Sequence, residues 1–123
     1  VESLMKALID SVILIDYLQG LAKAKSEINR YSEPLYSIIS WMEVLCGAET
    51  EDEEASAKLL FRSMHRVDLT SRIAQKAVEE RKRSGLKLPD AVILATADCE
   101  GCILVTRNTK DFDSGDPRVR IPY

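Results

Sequence analysis

Short apolar runs alternate along the chain with stretches of helical spacing, and single glycines or prolines punctuate most of the joins. Ala7-Leu8-Ile9 ends in Asp10, after which Ile13 to Gln19 has helical spacing and Gly20 suits the position just past a helix end. Leu21 to Arg30 reads as a polar helix whose extension Pro34 blocks, and Leu35 to Ser40 as a strand running into a helix at Trp41. On that reading Glu43 falls in the first turn of the helix. Thr50 followed by Glu51 to Glu54 has the form of an N-cap with first-turn acids, opening a helix to about Met64. Val67 to Leu69 is the next short strand. Ser71 to Ser84 is a helix with Ile73, Ala74, Ala77 and Val78 on one apolar face and Gly85 as its stop. Leu88-Pro89-Asp90 starts another helix, because Pro suits its first position and Asp its first turn. Its body, Ala91 to Cys99, is apolar nearly all round and is expected to be buried. Gly101 closes it, Cys102 to Thr106 is the clearest buried-strand run, Arg107 to Asp111 is a polar turn, and Val119 to Ile121 adds an edge strand.

Strands alternating with helices predict an α/β fold. The 123 residues fit a single domain over 1–123, and 46% hydrophobic residues is a globular rather than a disordered composition. A formal net charge of -3 is too mild for a polybasic nucleic-acid wrapper, so any contact with a polyanion must be local or metal-mediated. No apolar run reaches the roughly 18 residues that span a bilayer, and Val1 to Lys6 has no signal-peptide layout. Three cysteines, an odd number, argue for reduced thiols rather than a disulfide framework. Together these predict a cytoplasmic protein with no membrane association.

Asp10, Glu43, Asp90 and the pair Asn108 and Asp111 all fall at a strand's C-terminal end or in a first helical turn near one. In a parallel doubly wound sheet those places share one edge, where ligands bind. Glu43 and Asp90, taken singly, are explained as helix N-terminal charges worth about 0.3 to 1 kcal/mol each. Asp10 is different, because an acid ending an apolar parallel strand does nothing for the core. Carboxylates about 4 Å apart repel by roughly 4 kcal/mol per pair at an effective dielectric near 20, so such a cluster takes either protons or a cation. Oxygen ligands suit a hard ion such as Mg²⁺ or Mn²⁺.

The blocks ALIDSVILIDYLQG, SIISWMEVLCGA, LPDAVILATA and ILVTRNTKDF, in this order and at these intervals, resemble the signature blocks of PIN-domain ribonucleases, most closely the VapC-type toxins of prokaryotic toxin–antitoxin pairs. The resemblance runs from about Lys6 to Phe112. It implies a three-layer α/β/α sandwich on a mostly parallel four- to five-stranded sheet, Mg²⁺- or Mn²⁺-dependent endoribonuclease activity on an RNA substrate, a homodimer, and inhibition by a cognate antitoxin protein. Asp10, Glu43 and Asp90 match the family's acidic metal-site residues, with Asn108 at the fourth position and Asp111 the nearby acid. Thr106 matches a hydroxyl that helps orient the site, and Ser11 supports it. The first block departs from the family at Val12, where a polar residue is common. Arg107 and Lys110 are expected on flanking phosphates.

Several other features point elsewhere and carry less. Cys99-Glu100-Gly101-Cys102 is a C-x-x-C pattern, but Cys99 lies at a helix end rather than at the N-terminus that activates a thiol, and zinc lacks further ligands with His65 the only histidine. Asp16, six positions after Asp10, is about 240° away around a helix and is expected to cap or to make a surface hydrogen bond. Arg81, Lys82, Arg83 and Lys87 form a basic region read as a solvated surface, and Trp41, Met42 and Leu45 suit either core packing or a dimer surface. Two competing functions are a catalytically weak PIN-like binding module and an aspartate-based phosphoryl acceptor at Asp10. The second lacks a strand-end Lys.

Overall fold

The computed structural model describes residues 6–123. The leader reading of Val1 to Lys6 therefore falls, apart from Lys6, outside the described residues. The elements run β1 (Lys6–Ile9), α1 (Ser11–Leu18), α2 (Ala22–Asn29), β2 (Glu33–Ser37), α3 (Ile38–Gly47), α4 (Glu51–Arg62), β3 (His65–Val67), α5 (Ser71–Ser84), α6 (Leu88–Glu100), β4 (Ile103–Val105) and β5 (Val119–Arg120). The strands form one five-stranded sheet in the order β3-β2-β1-β4-β5, and every pairing is parallel. From β1 the chain steps outward through β2 to β3, then returns to the other side of β1 for β4 and β5. The direction of winding thus reverses between β1 and β4, which is where an open parallel sheet leaves a crevice beyond its strand ends.

Period-two alternation sends side chains of one strand to opposite faces. Ala7 and Ile9 of β1 join Ile13, Leu14, Ala24, Leu60 and Phe61 on one face. Leu8 joins Leu35, Leu104 and Ile93, Leu94 and Ala97 of α6 on the other, and α5 covers α6 through Ile73 and Ala77. Helices therefore bury both faces of the sheet, giving the three-layer sandwich and explaining why the strands are apolar throughout. Among the described residues no helix is long and apolar enough to cross a membrane.

Some element limits and facings differ from the sequence reading. The second strand spans Glu33–Ser37 rather than Leu35 to Ser40, because the Ser37 side chain accepts from the Ile39 backbone N–H at 3.0 Å and so caps α3, turning the β-branched pair Ile38-Ile39 helical. Glu43 consequently sits in the second turn of α3, not its first. The third strand is His65–Val67 rather than Val67 to Leu69: Leu69 is exposed and leads into Thr70, whose hydroxyl accepts from the Ile73 N–H and caps α5. On α5 the expected apolar position Val78 faces solvent, and the acid Glu80 is buried instead. Pro89 takes the second position of α6, since the helix starts at Leu88. Trp41 and Leu45 pack on the core while Met42 is exposed.

Candidate functional site

Asp10 follows the last residue of β1, and its backbone N–H donates to the Val105 carbonyl at 2.9 Å, tying it to the end of β4 across the point where the winding reverses. Its side chain is only 7% exposed. One carboxylate oxygen accepts from the Ser11 N–H at 2.8 Å and the other from the fully buried Thr106 hydroxyl at 2.7 Å. Burial pushes the Asp10 carboxyl above the usual carboxylate range and the Glu43 charge adds to this, while the bonds from Thr106 and Ser11 pull the other way. An acid is thus held in a fixed orientation at a site that disfavours its charge.

The other acids arrive from separate elements. Glu43 reaches in from α3, and its Oε1 accepts from the Ser11 hydroxyl at 2.9 Å. Asp90 stands in the first turn of α6. Its carboxyl is pushed up to about 6, first by burial and then by the charges of Asp111, Asp10 and Glu43. Asp111 interacts directly with Asp90, and its own carboxyl is held low by the Asn108 amide and by Lys87 and Lys110. Asn108 folds back on its turn: its Nδ2 donates to Asp111 Oδ2 at 3.0 Å, its Oδ1 accepts from the Asp111 N–H at 3.3 Å, and its N–H donates to Thr106 Oγ1 at 3.0 Å. The expected residues Asp10, Glu43, Asp90 and Asp111 are therefore near enough to feel one another's charge, with Ser11, Thr106 and Asn108 bracing them. Val12, in the first turn of α1, packs against the core.

Lys110 is exposed and acts electrostatically on Asp111, and Lys87, read from sequence as plain surface, does the same. Arg107, expected on flanking phosphates, is paired with an acid of α1. Its Nε and Nη2 donate to the two oxygens of Asp16 at 2.6 and 3.0 Å, although nearly half of its side chain stays exposed. Asp16 corrects its surface reading: it is 6% exposed and also accepts from the Tyr123 hydroxyl at 2.7 Å. Asp16 and Tyr123 are the neighbours of the site that the sequence reading passed over. A signal existed in that an acid set among Ile13, Leu14 and Ile15 needs a partner to be buried. Cys102, the second cysteine of the C-x-x-C pattern, has its thiol pushed up to about 11 by burial, which makes it a poor nucleophile.

Among the described residues, no three His, Cys, Asp or Glu side chains are drawn together tightly enough to cage an ion as they stand. The donor set nonetheless fits a hard cation of the Mg²⁺ type, which keeps most of its waters and needs only one or two direct carboxylates. The raised Asp10 and Asp90 carboxyls are the second mark of fit, because burial first and neighbouring carboxylates second disfavour a charge that a bound cation would stabilise.

The PIN domain family model matches residues 7–116. Among solved structures, a chain of a toxin–antitoxin complex from Klebsiella pneumoniae superposes with a TM-score of 0.88 and 40% identity, covering 95% of this chain and 98% of that chain. A chain of DNA-bound VapBC from Salmonella typhimurium gives 0.79 and 23% over 95% and 96% of the two chains. One of VapBC2 from Rickettsia felis, bound to a promoter DNA fragment, gives 0.78 and 17% over 94% and 96%. Both of these share the fold. No curated protein sequence matches the chain significantly.

Proposed function

The chain belongs to the PIN domain family, and from that premise we propose that it is the toxin nuclease of a toxin–antitoxin pair, an Mg²⁺- or Mn²⁺-dependent endoribonuclease hydrolysing RNA phosphodiester bonds. The observation that carries this reading is the convergence of Asp10, Glu43, Asp90 and Asp111 from four segments on one strand-end crevice, with burial and mutual repulsion raising two of the carboxyls. A solved toxin–antitoxin complex as the neighbour at 40% identity supports the toxin role.

In this reading Asp10 and Asp90 bind the ion directly, Glu43 binds it directly or through water, and Asp111 completes the set with Asn108 as its brace. A divalent cation held there supplies an acidified water for attack and neutralises charge on the phosphate. Thr106 keeps one Asp10 oxygen oriented and Ser11 keeps Glu43 oriented, so the ligands need little rearrangement to bind. Lys110 and Lys87, beside Asp111, are placed to meet phosphates adjoining the scissile one. A cognate antitoxin would block the site by seating a guanidinium among the acids, whose paired oxygens match its fork. The proposed compartment is the cytosol, in keeping with the free Cys46, Cys99 and Cys102, and the proposed assembly is a homodimer.

The deciding experiment is cleavage of a panel of structured RNAs by the purified chain in Mg²⁺, Mn²⁺ or EDTA, beside Asp10→Asn and Asp90→Asn. The expected result is metal-dependent cleavage that falls by at least about a hundredfold in either variant. Cleavage at the wild-type rate in both variants would remove the metal-site assignment, and no cleavage by the wild type under any condition would leave a binding module instead. Light scattering of the same preparation checks the dimer, which a monomer at all concentrations would exclude.

A further inference from the structure

Between α2 and the chain segment that begins at the edge strand β5 lies a groove of about 580 Å³ lined by Lys23, Arg30, Arg120 and Tyr123, with Glu27 its one carboxylate. In a chain of net charge -3, three cations around one groove form a local reversal of sign. Glu27 is already satisfied: burial alone would raise its carboxyl, but bonds from Arg120 at 2.7 and 3.0 Å and from Tyr31 at 2.6 Å hold it below the usual range. Arg120 keeps N–H groups beyond those two bonds, and Arg30 approaches Glu27 only at 3.9 Å. Lys23 is exposed and makes no hydrogen bond or ion pair with the described residues.

The groove is connected to the acid site by short steps. The Thr106 N–H donates to the Arg120 carbonyl at 3.1 Å, so the segment carrying Arg120 lies one strand spacing, about 4.8 Å, from the residue that orients Asp10. Tyr123 lines the groove and also donates to Asp16, which holds the half-exposed Arg107 next to Thr106. From the crevice outward the residues run Arg107, then Tyr123, half-buried with part of its ring on the core and part lining the groove, then the cations of the groove. A charged track with an aromatic face along it has the chemistry that binds a single nucleic-acid strand: phosphates to the cations, a base to the ring.

We propose that this groove carries the flanking nucleotides of a single-stranded RNA whose scissile phosphate lies at the acidic crevice. The inference rests on the ribonuclease reading and adds the path of the substrate. Asp16 acts as a positioning residue, fixing Arg107 side-on so that its outer N–H edge remains for a phosphate.

The test uses the full chain with Lys23→Ala and Arg30→Ala combined, two exposed positions outside the acid site. A fluorescent single-stranded RNA of about a dozen nucleotides is titrated in EDTA by anisotropy at several salt concentrations, and its cleavage is followed separately in Mn²⁺. The double variant is expected to bind roughly five- to tenfold more weakly, with the slope of log affinity against log salt reduced by about 1.4 for two lost phosphate contacts. KM should rise by the same factor with kcat unchanged, whereas a dinucleotide substrate should be cut equally by both proteins. Tyr123→Phe should keep most of the affinity and Tyr123→Leu should not, since only the ring stacks. Equal affinity and equal salt slope in wild type and double variant would overturn the path while leaving metal-dependent cleavage standing. Absence of both binding and cleavage in the wild type would overturn the path and the ribonuclease reading together. Loss of affinity only for an antitoxin, with RNA binding intact, would overturn the path by making the groove a protein-docking surface.

Discussion

Two sets of acids in this chain sit in opposite surroundings. Asp16, Glu27, Glu80 and Asp116 each accept from a guanidinium and are held low, whereas Asp10 and Asp90 have none and are raised. The two groups respond to pH with opposite sign. Asp90 titrates near 6 in the folded chain, against about 3.9 when unfolded, so between those values the folded state binds the proton more tightly. Metal-free stability is therefore expected to rise as pH falls from about 7 to about 4, by about 1 kcal/mol from Asp90 after solvent screening, with Asp10 acting in the same direction. The clasped acids contribute stability that is present above pH ~4 and lost only as pH falls through their lowered values. Thermal melts in EDTA across this range check the first limb, which Asp90→Asn should flatten; an unchanged limb in that variant would mean that Asp90 is not its source. The turn after β4 offers a second comparison. Because Asn108 braces Asp111, Asp111→Asn should weaken Mn²⁺ binding by about tenfold in a calorimetric titration, while Asn108→Asp, which sets a like charge against Asp111, should not tighten it. Tighter binding in Asn108→Asp would make residue 108 the ligand instead.

Elements here are placed by ion pairs as well as by apolar faces. Arg118, just before β5, donates to Asp116, to Glu80 of α5 and to Asp98 of α6 at 2.7 to 3.1 Å, so one guanidinium fastens the segment between β4 and β5 to the helical layer. Removing it leaves the buried Glu80 with Arg83 alone. Arg118→Ala is expected to cost about 2 kcal/mol, below the value for a fully buried pair because the arginine is partly exposed, and to lower the urea midpoint without changing its slope. A midpoint shift no larger than that of a surface substitution would show the cluster to be structurally idle. These pairings explain what was legible in the sequence and what was not. Element types followed from local signals: the apolar run before Asp10, the threonine capping α4, the glycine after α6 whose backbone is left-handed at φ 67°. Strand limits were not legible, because Ile38-Ile39 favours β structure by its side chains while the Ser37 hydroxyl, a bond visible only in three dimensions, commits it to helix. The four acids were read at strand ends, in first turns and in the turn after β4; they do lie within reach of one another's charge, with Glu43 one turn further along α3 than expected. Asp16 with Tyr123 was not, because its partners lie 91 and 107 residues away.

At the scale of the whole molecule, the winding order of the sheet brings distant carboxylates together. Asp10 and Thr106 are 96 positions apart in sequence and meet because β4 returns to pair with β1. Folding therefore assembles a repulsive cluster that the unfolded chain disperses, and the folded chain is less stable than its core alone would make it. A cation that binds the assembled cluster and not the dispersed chain reverses that penalty by mass action, adding about 2.7 kcal/mol at a hundred times its dissociation constant. For a chain of this length a gain of that size corresponds to a rise in Tm of roughly 10 °C. The rise should follow the logarithm of Mn²⁺ concentration, should be matched by Mg²⁺ at higher concentration, and should vanish with EDTA. It should also vanish in Asp10→Asn, whose metal-free Tm is expected to equal or exceed that of the wild type because one of the repelling charges is gone. Scanning calorimetry of both proteins with and without Mn²⁺ measures all four states. An equal Mn²⁺-induced rise in the two proteins would place the ion elsewhere on the chain, and a metal-free Asp10→Asn that melts well below wild type would mean that the Asp10 bonds to Ser11 and Thr106 stabilise the fold more than its charge opposes it.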